Sequence, residues 1–287
     1  MRPLGVHTSI AKGVHLSIER AHKLGCTALQ IFSHSPRTWV RGPIDDREAG
    51  EFRRLRRCYG YEHIFIHSSY LINLCSPDRT TRERSIEMLL YELKVADKLG
   101  VQYVVLHPGR ASGQSASEAM EKLRRSFRII EQRWDGSAGI LLENTAGQRG
   151  DISSRIAQLA EIAGSVTGGL VRGLCLDTAH AFQAGYNIAT PQGLESLEEE
   201  MKRYMPGYRI RLIHLNDSKA GFNSGLDRHE HIGRGGIGIE GFRVFLSYPF
   251  FRDIPLILET PKKSEDDDRR NLLAVRRILE TVEQSMR

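Results

Sequence analysis

The segment GLCLDTAHAFQAGY, residues 173–186, poses the question on which the fold turns. Its opening residues make an apolar run of the kind a buried parallel strand requires. The run ends in Asp177, with His180 three residues on and Gly185 close behind. A buried strand has no use for a carboxylate. Asp177 therefore either caps the next helical turn or stands at a strand end to hold something. The choice depends on whether other strands end in the same way.

Working outward, short apolar runs alternate with longer amphipathic stretches along almost the whole 287-residue chain. The strand candidates are PLGVHTS (3–9), ALQIFSH (28–34), HIFIHSS (63–69), YVVLHPG (103–109), GILLENT (139–145), LCLDTAH (174–180), RLIHLND (211–217) and PLILETP (255–261). Between them lie helical patterns. TTRERSIEMLLYELKVADKLG (80–100) closes on Gly100, and DISSRIAQLAEIAG (151–164) is expected to open on Asp151 as its N-cap and to end near Gly164. Eight strand–helix units without a linker predict a single-domain (β/α)₈ TIM barrel over residues 1–287, with its site at the C-terminal face. A doubly wound open sheet is the alternative, weakened because no Gly-rich phosphate loop follows the first strand. Two connections are longer than a barrel needs: SHSPRTWVRGPID (33–45) and NDSKAGFNSGLDRHEHIGRGGIGIEG (216–241). Long loops at that rim are where substrate contacts gather.

Composition narrows the class. With 40% hydrophobic and 26% charged residues the chain can bury a substantial core. No apolar run approaches the roughly 18 residues that span a bilayer, so no membrane role is expected. MRPLGVHTSI at the N-terminus has no signal-peptide apolar region. Cys26, Cys58, Cys75 and Cys175 are scattered, which argues against a disulfide framework or a thiolate metal site and for a reducing, cytoplasmic home. A net charge of +6 permits a nucleic-acid partner without establishing one. The arginine pairs of EFRRLRRC and RRNLLAVRRIL read as outward helix faces.

The strand ends decide the opening question. They read His7, nothing obvious after strand two, His67, His107, Glu143, Asp177, His214 and Glu259, spaced from His67 onward by 40, 36, 34, 37 and 45 residues. A single histidine or carboxylate there is most simply a core or capping residue. The set is different, because carboxylates converging on one mouth would repel and lose hydration unless cations neutralised them. Mixed His/Asp/Glu ligation without thiolates suits zinc, manganese or another borderline divalent ion. His180, on the connection after Asp177, is placed to face a different ion, and Asp227 and His229, two apart, point the same way in an extended segment. His231 continues that alternation as a ligand or as a loop residue. Counted without His7 and His231, five histidines and four carboxylates are too many for one ion and suit three. Three divalent cations against four carboxylates leave a surplus of about two positive charges, which suits a phosphodiester and multi-metal phosphoester hydrolysis.

These segments together resemble the endonuclease IV family of apurinic/apyrimidinic (AP) endonucleases, over essentially the full length. The matching stretches are HSSYLINL (67–74), VLHPG (105–109), LLENTAGQ (141–148), CLDTAHAFQAGY (175–186), HLNDSK (214–219), DRHEHIGRGGIG (227–238) and PLILETP (255–261). The resemblance implies a barrel with three Zn²⁺ ions, Mn²⁺ being acceptable at some sites, that repairs duplex DNA by cutting 5′ to abasic sites. It implies that His67, His107 and Glu143 hold the first ion. Glu143, Asp177, His214 and Glu259 hold the second, and His180, Asp227 and His229 the third. His231 falls outside that set. The implied mechanism is hydrolysis by a metal-bound hydroxide without a covalent enzyme intermediate. Glu143 bridges two ions and helps deprotonate the water. Tyr70 and Leu71 match residues that wedge into the base stack, and Arg37 matches an arginine inserted into the DNA. Lys219, Arg228 and Arg234 are candidate phosphate contacts. The expected unit is a monomer without an obligate protein partner.

The chain departs from the family pattern in places. His34 and Ser35 stand where a Lys-Asn pair is usual, Arg110 where a serine–histidine pair commonly follows HPG, and Ala179 where cysteine is frequent. None is a metal ligand; the first two changes fall in DNA-facing loops. Two rival readings exist. A metal-dependent sugar isomerase or epimerase would need only Glu143, Asp177, His214 and Glu259, leaving His67, His107, His180, Asp227 and His229 without a purpose. A catalytically dead damage-binding module would not need open metal positions.

Overall fold

Each of the eight apolar runs forms a strand in the computed structural model, which describes residues 2–264 and 266–285. The barrel strands are β1 (Leu4–His7), β2 (Ala28–Phe32), β3 (His63–His67), β4 (Tyr103–Leu106), β5 (Gly139–Glu143), β6 (Val171–Asp177), β7 (Ile210–His214) and β10 (Leu256–Leu258). All pair in parallel, and β1 pairs with both β2 and β10, so the sheet closes. That closure excludes the open doubly wound sheet. Helices α1 (Leu16–Lys23), α2 (Asp46–Cys58), α3 (Arg79–Leu99), α4 (Ala116–Arg133), α5 (Ile156–Gly164), α6 (Thr178–Gln183), α7 (Pro191–Tyr204), α8 (Gly238–Ser247) and α9 (Asp267–Ser285) connect the strands or follow the last. Two short strands in the loop after β7, β8 (Asp217–Ser218) and β9 (His229–Glu230), make a separate antiparallel pair.

Alternation along each strand divides the core in two. Ile64 and Ile66 of β3, Ile140 and Leu142 of β5, and Leu174 and Leu176 of β6 face outward and pack with Phe52, Leu89, Phe127 and Leu159 of the helices. The inward positions between them form a separate apolar plug: Ala28, Phe65, Val105, Leu141, Cys175, Leu212 and Ile257. Strand side chains repeat every two residues, so the next inward position up each strand lies directly above the plug. From β2 onward those positions are Gln30, His67, His107, Glu143, Asp177, His214 and Glu259. His107 and Glu259 fall one residue past the ends of β4 and β10, still in register.

Local signals explain most helix ends. Asp78 accepts from the Thr81 amide at the start of α3, and Gly100, at φ 72°, closes it in a left-handed conformation. Ser115 and Glu118 form a capping box at α4. Asp151 does not cap α5. Its carboxylate instead accepts from the Gly147 and Gln148 amides and pairs with Arg110, and the helix begins five residues later at Ile156. There the Gln158 side chain accepts from the Arg155 amide.

Gly5 marks the tightest point of the barrel wall: a Cβ added there would run into the Ala28 carbonyl of β2. Gly5→Ala is expected to cost about 1–3 kcal/mol through overpacking. A thermal melt should show the midpoint falling by several degrees; an unchanged midpoint would mean that β1 and β2 can separate without cost.

Candidate metal centre

The layer above the plug holds the charged groups, and the connections close over them. Glu143, Asp177 and His214 are fully buried, at 0% exposure. Glu143 sits between two sets of partners. Its Oε2 lies 3.2 Å from His67 Nε2 and 3.2 Å from His107 Nε2, while its Oε1 lies 2.9 Å from His214 Nδ1. Burial alone would push this carboxyl up, but His107 and His214 hold it well below the usual carboxylate range. Glu259 shows the same balance: burial opposes its charge, and His214 and His7 hold it ionised.

Two clusters built of histidines and carboxylates alone share Glu143. His67, His107 and Glu143 offer ligand atoms within 4.8 Å of one another, and so do Glu143, Asp177, His214 and Glu259. A third cluster lies beside them. Asp177, His180 and His229 also converge within 4.8 Å. Asp227 joins from the rim, its Oδ1 3.2 Å from His180 Nε2 and 3.8 Å from His229 Nε2. Burial works against a charge on His180, yet Asp177 and Asp227 raise its pKa to about 10. All nine residues expected from the sequence are thus brought to one mouth.

Asp177 caps the next helix and also turns toward the mouth. Its Oδ1 accepts from the His180 amide as the cap of α6, and its Oδ2 accepts from Asn216 Nδ2 and faces His229 Nε2 at 3.5 Å. His180 therefore rides on the first turn of a helix rather than on a loop. The loop that carries Asp227 and His229 is held from below by Asp217. Its buried carboxylate accepts from the amides of Ser218, Gly233, Gly235 and Ile237 at 2.8–3.0 Å. His231 points elsewhere, bonding Asn271 and facing Asp267.

Reading only strand ends overlooks Gln30. It is fully buried and touches Glu259 Oε1, His214 Nε2 and His7 Nδ1 at 2.6, 2.8 and 3.1 Å. Counting two residues up from the plug, rather than to the end of the apolar run, finds it. His7 lies at the edge of the centre, 3.2 Å from Glu259 Oε1 and packed on Phe32. Cys175 lies below Glu143 and His214, and burial pushes its thiol up, so it stays with the plug.

Comparison with known proteins places this arrangement. The family described as "Xylose isomerase-like TIM barrel" matches residues 18–281. A Trichlorobacter lovleyi protein named "Probable endonuclease 4" is 38% identical over 275 residues, covering 95% of this chain and 98% of that protein. The chain belongs to the endonuclease IV family. The crystal structure of endonuclease IV from Thermus thermophilus superposes with a TM-score of 0.84 at 36% identity, over 97% of this chain and 99% of that one. A D-tagatose 3-epimerase-like protein, at 20% identity and a TM-score of 0.72 over 99% and 100% of the two chains, shares the fold alone.

In this endonuclease IV family member the clusters open into a cleft of about 1400 Å³, also lined by Arg37, Tyr70 and Lys262. Arg37 is exposed on the β2–α2 loop and makes no hydrogen bond or ion pair among the described residues. Tyr70 is 63% exposed on the β3–α3 loop, edge-on to Phe32, and Leu71 beside it is half-buried. Lys219, Arg228 and Arg234 are exposed on the loop between β7 and α8. One buried group ties the first two loops together, and no local pattern in the chain announces it. Glu92 of α3 accepts from the Ser69 amide at 2.9 Å, and Ser69 Oγ donates to the Pro36 carbonyl at 2.8 Å. His34, of the divergent loop, lies 3.8 Å from the same Glu92 oxygen, with its own pKa lowered by burial.

Burial raises the Glu92 carboxyl to about 8, against about 4.3 in an unfolded chain. Between those values the unfolded state gives up a proton that the native state keeps, so stability falls as pH rises through this window. Glu92→Gln keeps the acceptor for Ser69 and lacks the proton. It should melt close to wild type near pH 4 and increasingly above it toward pH 8; parallel melting curves across that range would show that Glu92 titrates normally.

Proposed function

We propose that this protein is a metal-dependent DNA-repair endonuclease. It would hydrolyse the phosphodiester bond 5′ to an apurinic/apyrimidinic site in duplex DNA, leaving a 3′-hydroxyl and a 5′ deoxyribose phosphate. The observation that carries the reading is Glu143, buried, whose two oxygens face two different clusters that reach the cleft through His67, His107 and Glu259. Membership of the endonuclease IV family supports it.

The donor set fits divalent ions. It contains imidazole nitrogens and carboxylate oxygens, and two of its carboxylates, Glu143 and Asp177, are fully buried. His67, His107 and Glu143 would hold one ion. Glu143, Asp177, His214 and Glu259 would hold a second, and His180, Asp227 and His229 a third, with Zn²⁺ as the fitting metal and Mn²⁺ acceptable at some positions. When bound, such ions make a water nucleophilic near neutral pH and offset charge on both the attacking and the departing oxygen.

The chain's own residues supply the rest. Glu143 orients the two clusters that share it, and its ionised carboxylate can take a proton from the water whose oxygen bonds to phosphorus; the P–O3′ bond breaks and the departing O3′ gains a proton from solvent, giving the 3′-hydroxyl. Tyr70 lines the cleft with half-buried Leu71 beside it, where an apolar wedge would enter the stack, and Arg37 would follow into the gap. Turning a sugar out costs least where no base pairs, which accounts for selectivity toward abasic sites. Lys219, Arg228 and Arg234 are exposed where they would meet phosphates. Residues 1–287 would act as one catalytic domain and as a monomer. The four cysteines are free, in keeping with a reducing, cytoplasmic compartment.

Incubation with a duplex carrying one synthetic abasic site should give a nick 5′ to it that a chelator abolishes; no such nick would sink the proposal. Elemental analysis should find about three zinc or manganese ions per chain, whereas one or two would favour the sugar isomerase or epimerase reading. Glu143→Gln should keep the fold and lose more activity than the roughly 100-fold that loss of an outer partner costs. Tyr70→Ala should cleave with reduced preference for damaged over intact DNA, and an unchanged preference removes Tyr70 from the wedge.

A further inference from the structure

We infer that Gln30 is a positioning residue: it fixes the ring tautomer of His214 and so leaves His214 Nδ1 as the atom that faces a metal. The inference rests on the metal reading above. Gln30 is the one amide in the layer of histidines and carboxylates above the plug, and it is fully buried. Its Nε2 lies 2.6 Å from Glu259 Oε1 and its Oε1 lies 2.8 Å from His214 Nε2.

The chemistry of each partner dictates the assignment. An ionised carboxylate only accepts hydrogen bonds, so the Glu259 side of the amide must be the NH₂ group. The nearby His7, with Nδ1 3.2 Å from the same Glu259 oxygen, does not change this, because the carboxylate demands a donor from Gln30 whichever tautomer His7 adopts. The amide oxygen then faces His214, and an oxygen demands a donor. His214 Nε2 must carry a proton. Without a metal the carboxylates around Nδ1 draw a proton onto it as well; where a metal takes that proton's place, the imidazole still protonated on Nε2 by its bond to Gln30 offers its lone pair from Nδ1. Nδ1 is the atom set among the carboxylates, 2.9 Å from Glu143 Oε1 and 3.2 Å from Glu259 Oε2. One side chain thus holds two members of the same cluster and selects which nitrogen of His214 is offered.

An outer partner that orients a ligating histidine typically contributes about 10–100-fold in metal affinity. Gln30→Met, of similar volume and without either hydrogen bond, is the test. In wild type, long-range proton–nitrogen spectra should show His214 protonated on Nε2, with that ring proton exchanging slowly. In Gln30→Met the ring proton should exchange fast, and zinc affinity at one position should fall about 10–100-fold. Melting of the metal-free chains checks that both are folded. Turnover on an abasic duplex should drop with little change in KM, since Gln30 touches no part of the rim.

Wild-type zinc-loaded protein with His214 protonated on Nδ1 overturns the assignment whether or not the variant folds. Gln30→Met with wild-type zinc affinity and an unchanged ring signal overturns it as well. A wild-type chain that takes up no zinc sinks the metal reading and the ligand role given to Nδ1. The ring-proton comparison in metal-free protein then still decides whether Gln30 bonds His214 Nε2.

Discussion

Charge set on a dry apolar floor is the constraint from which the rest of this structure follows. The plug of Ala28, Phe65, Val105, Leu141, Cys175, Leu212 and Ile257 admits no counterion from below. Every carboxylate in the layer above must therefore find its compensation sideways or from the cleft. An uncompensated buried ion costs several kcal/mol. Glu143 meets that demand with three imidazoles around one carboxylate, and Glu259 with His7, Gln30 and His214. The same groups that make the layer tolerable in the folded chain are the groups that would hold divalent ions.

The alternation that builds the plug also makes the site readable. From β2 onward, the residue two beyond each plug position enters the mouth, so an apolar run followed by His, Asp or Glu is a visible mark in the sequence. Strand two hides its contribution because Gln30 is followed by Ile31 and Phe32, and the apolar run resumes past it. A neutral amide also lacks the ionisable signature that marks the other strands. Asp151 misleads for the opposite reason. An Asp before a helical pattern looks like a cap, and nothing local shows that its carboxylate is taken by Arg110 and two loop amides.

The least legible features depend on distant partners. Asp217 reaches amides 16–20 residues away, and Glu92 reaches an amide 23 residues before it. Neither pattern has a periodicity to betray it. Both residues support loops rather than line the mouth, which fits the division between a strand-built centre and loop-built surroundings. The sugar epimerase-like neighbour shares the barrel and little of the sequence. It is the residues at the mouth, more than the scaffold, that argue for one chemistry over another.

That division has a further consequence at the Glu92 tie. Arg37 and the Tyr70–Leu71 pair belong to different connections, separated by a whole strand–helix unit, yet both connections hang from the chain Glu92–Ser69–Pro36. Two surfaces fastened to one hidden peg cannot be tuned independently. Groups that share such a network show interaction energies rather than simple sums. Changes at Arg37 and Tyr70 would be felt jointly, and the departures at His34 and Ser35 would act on the opposite loop as much as on their own. The two loops form a single unit anchored in the wall of the barrel.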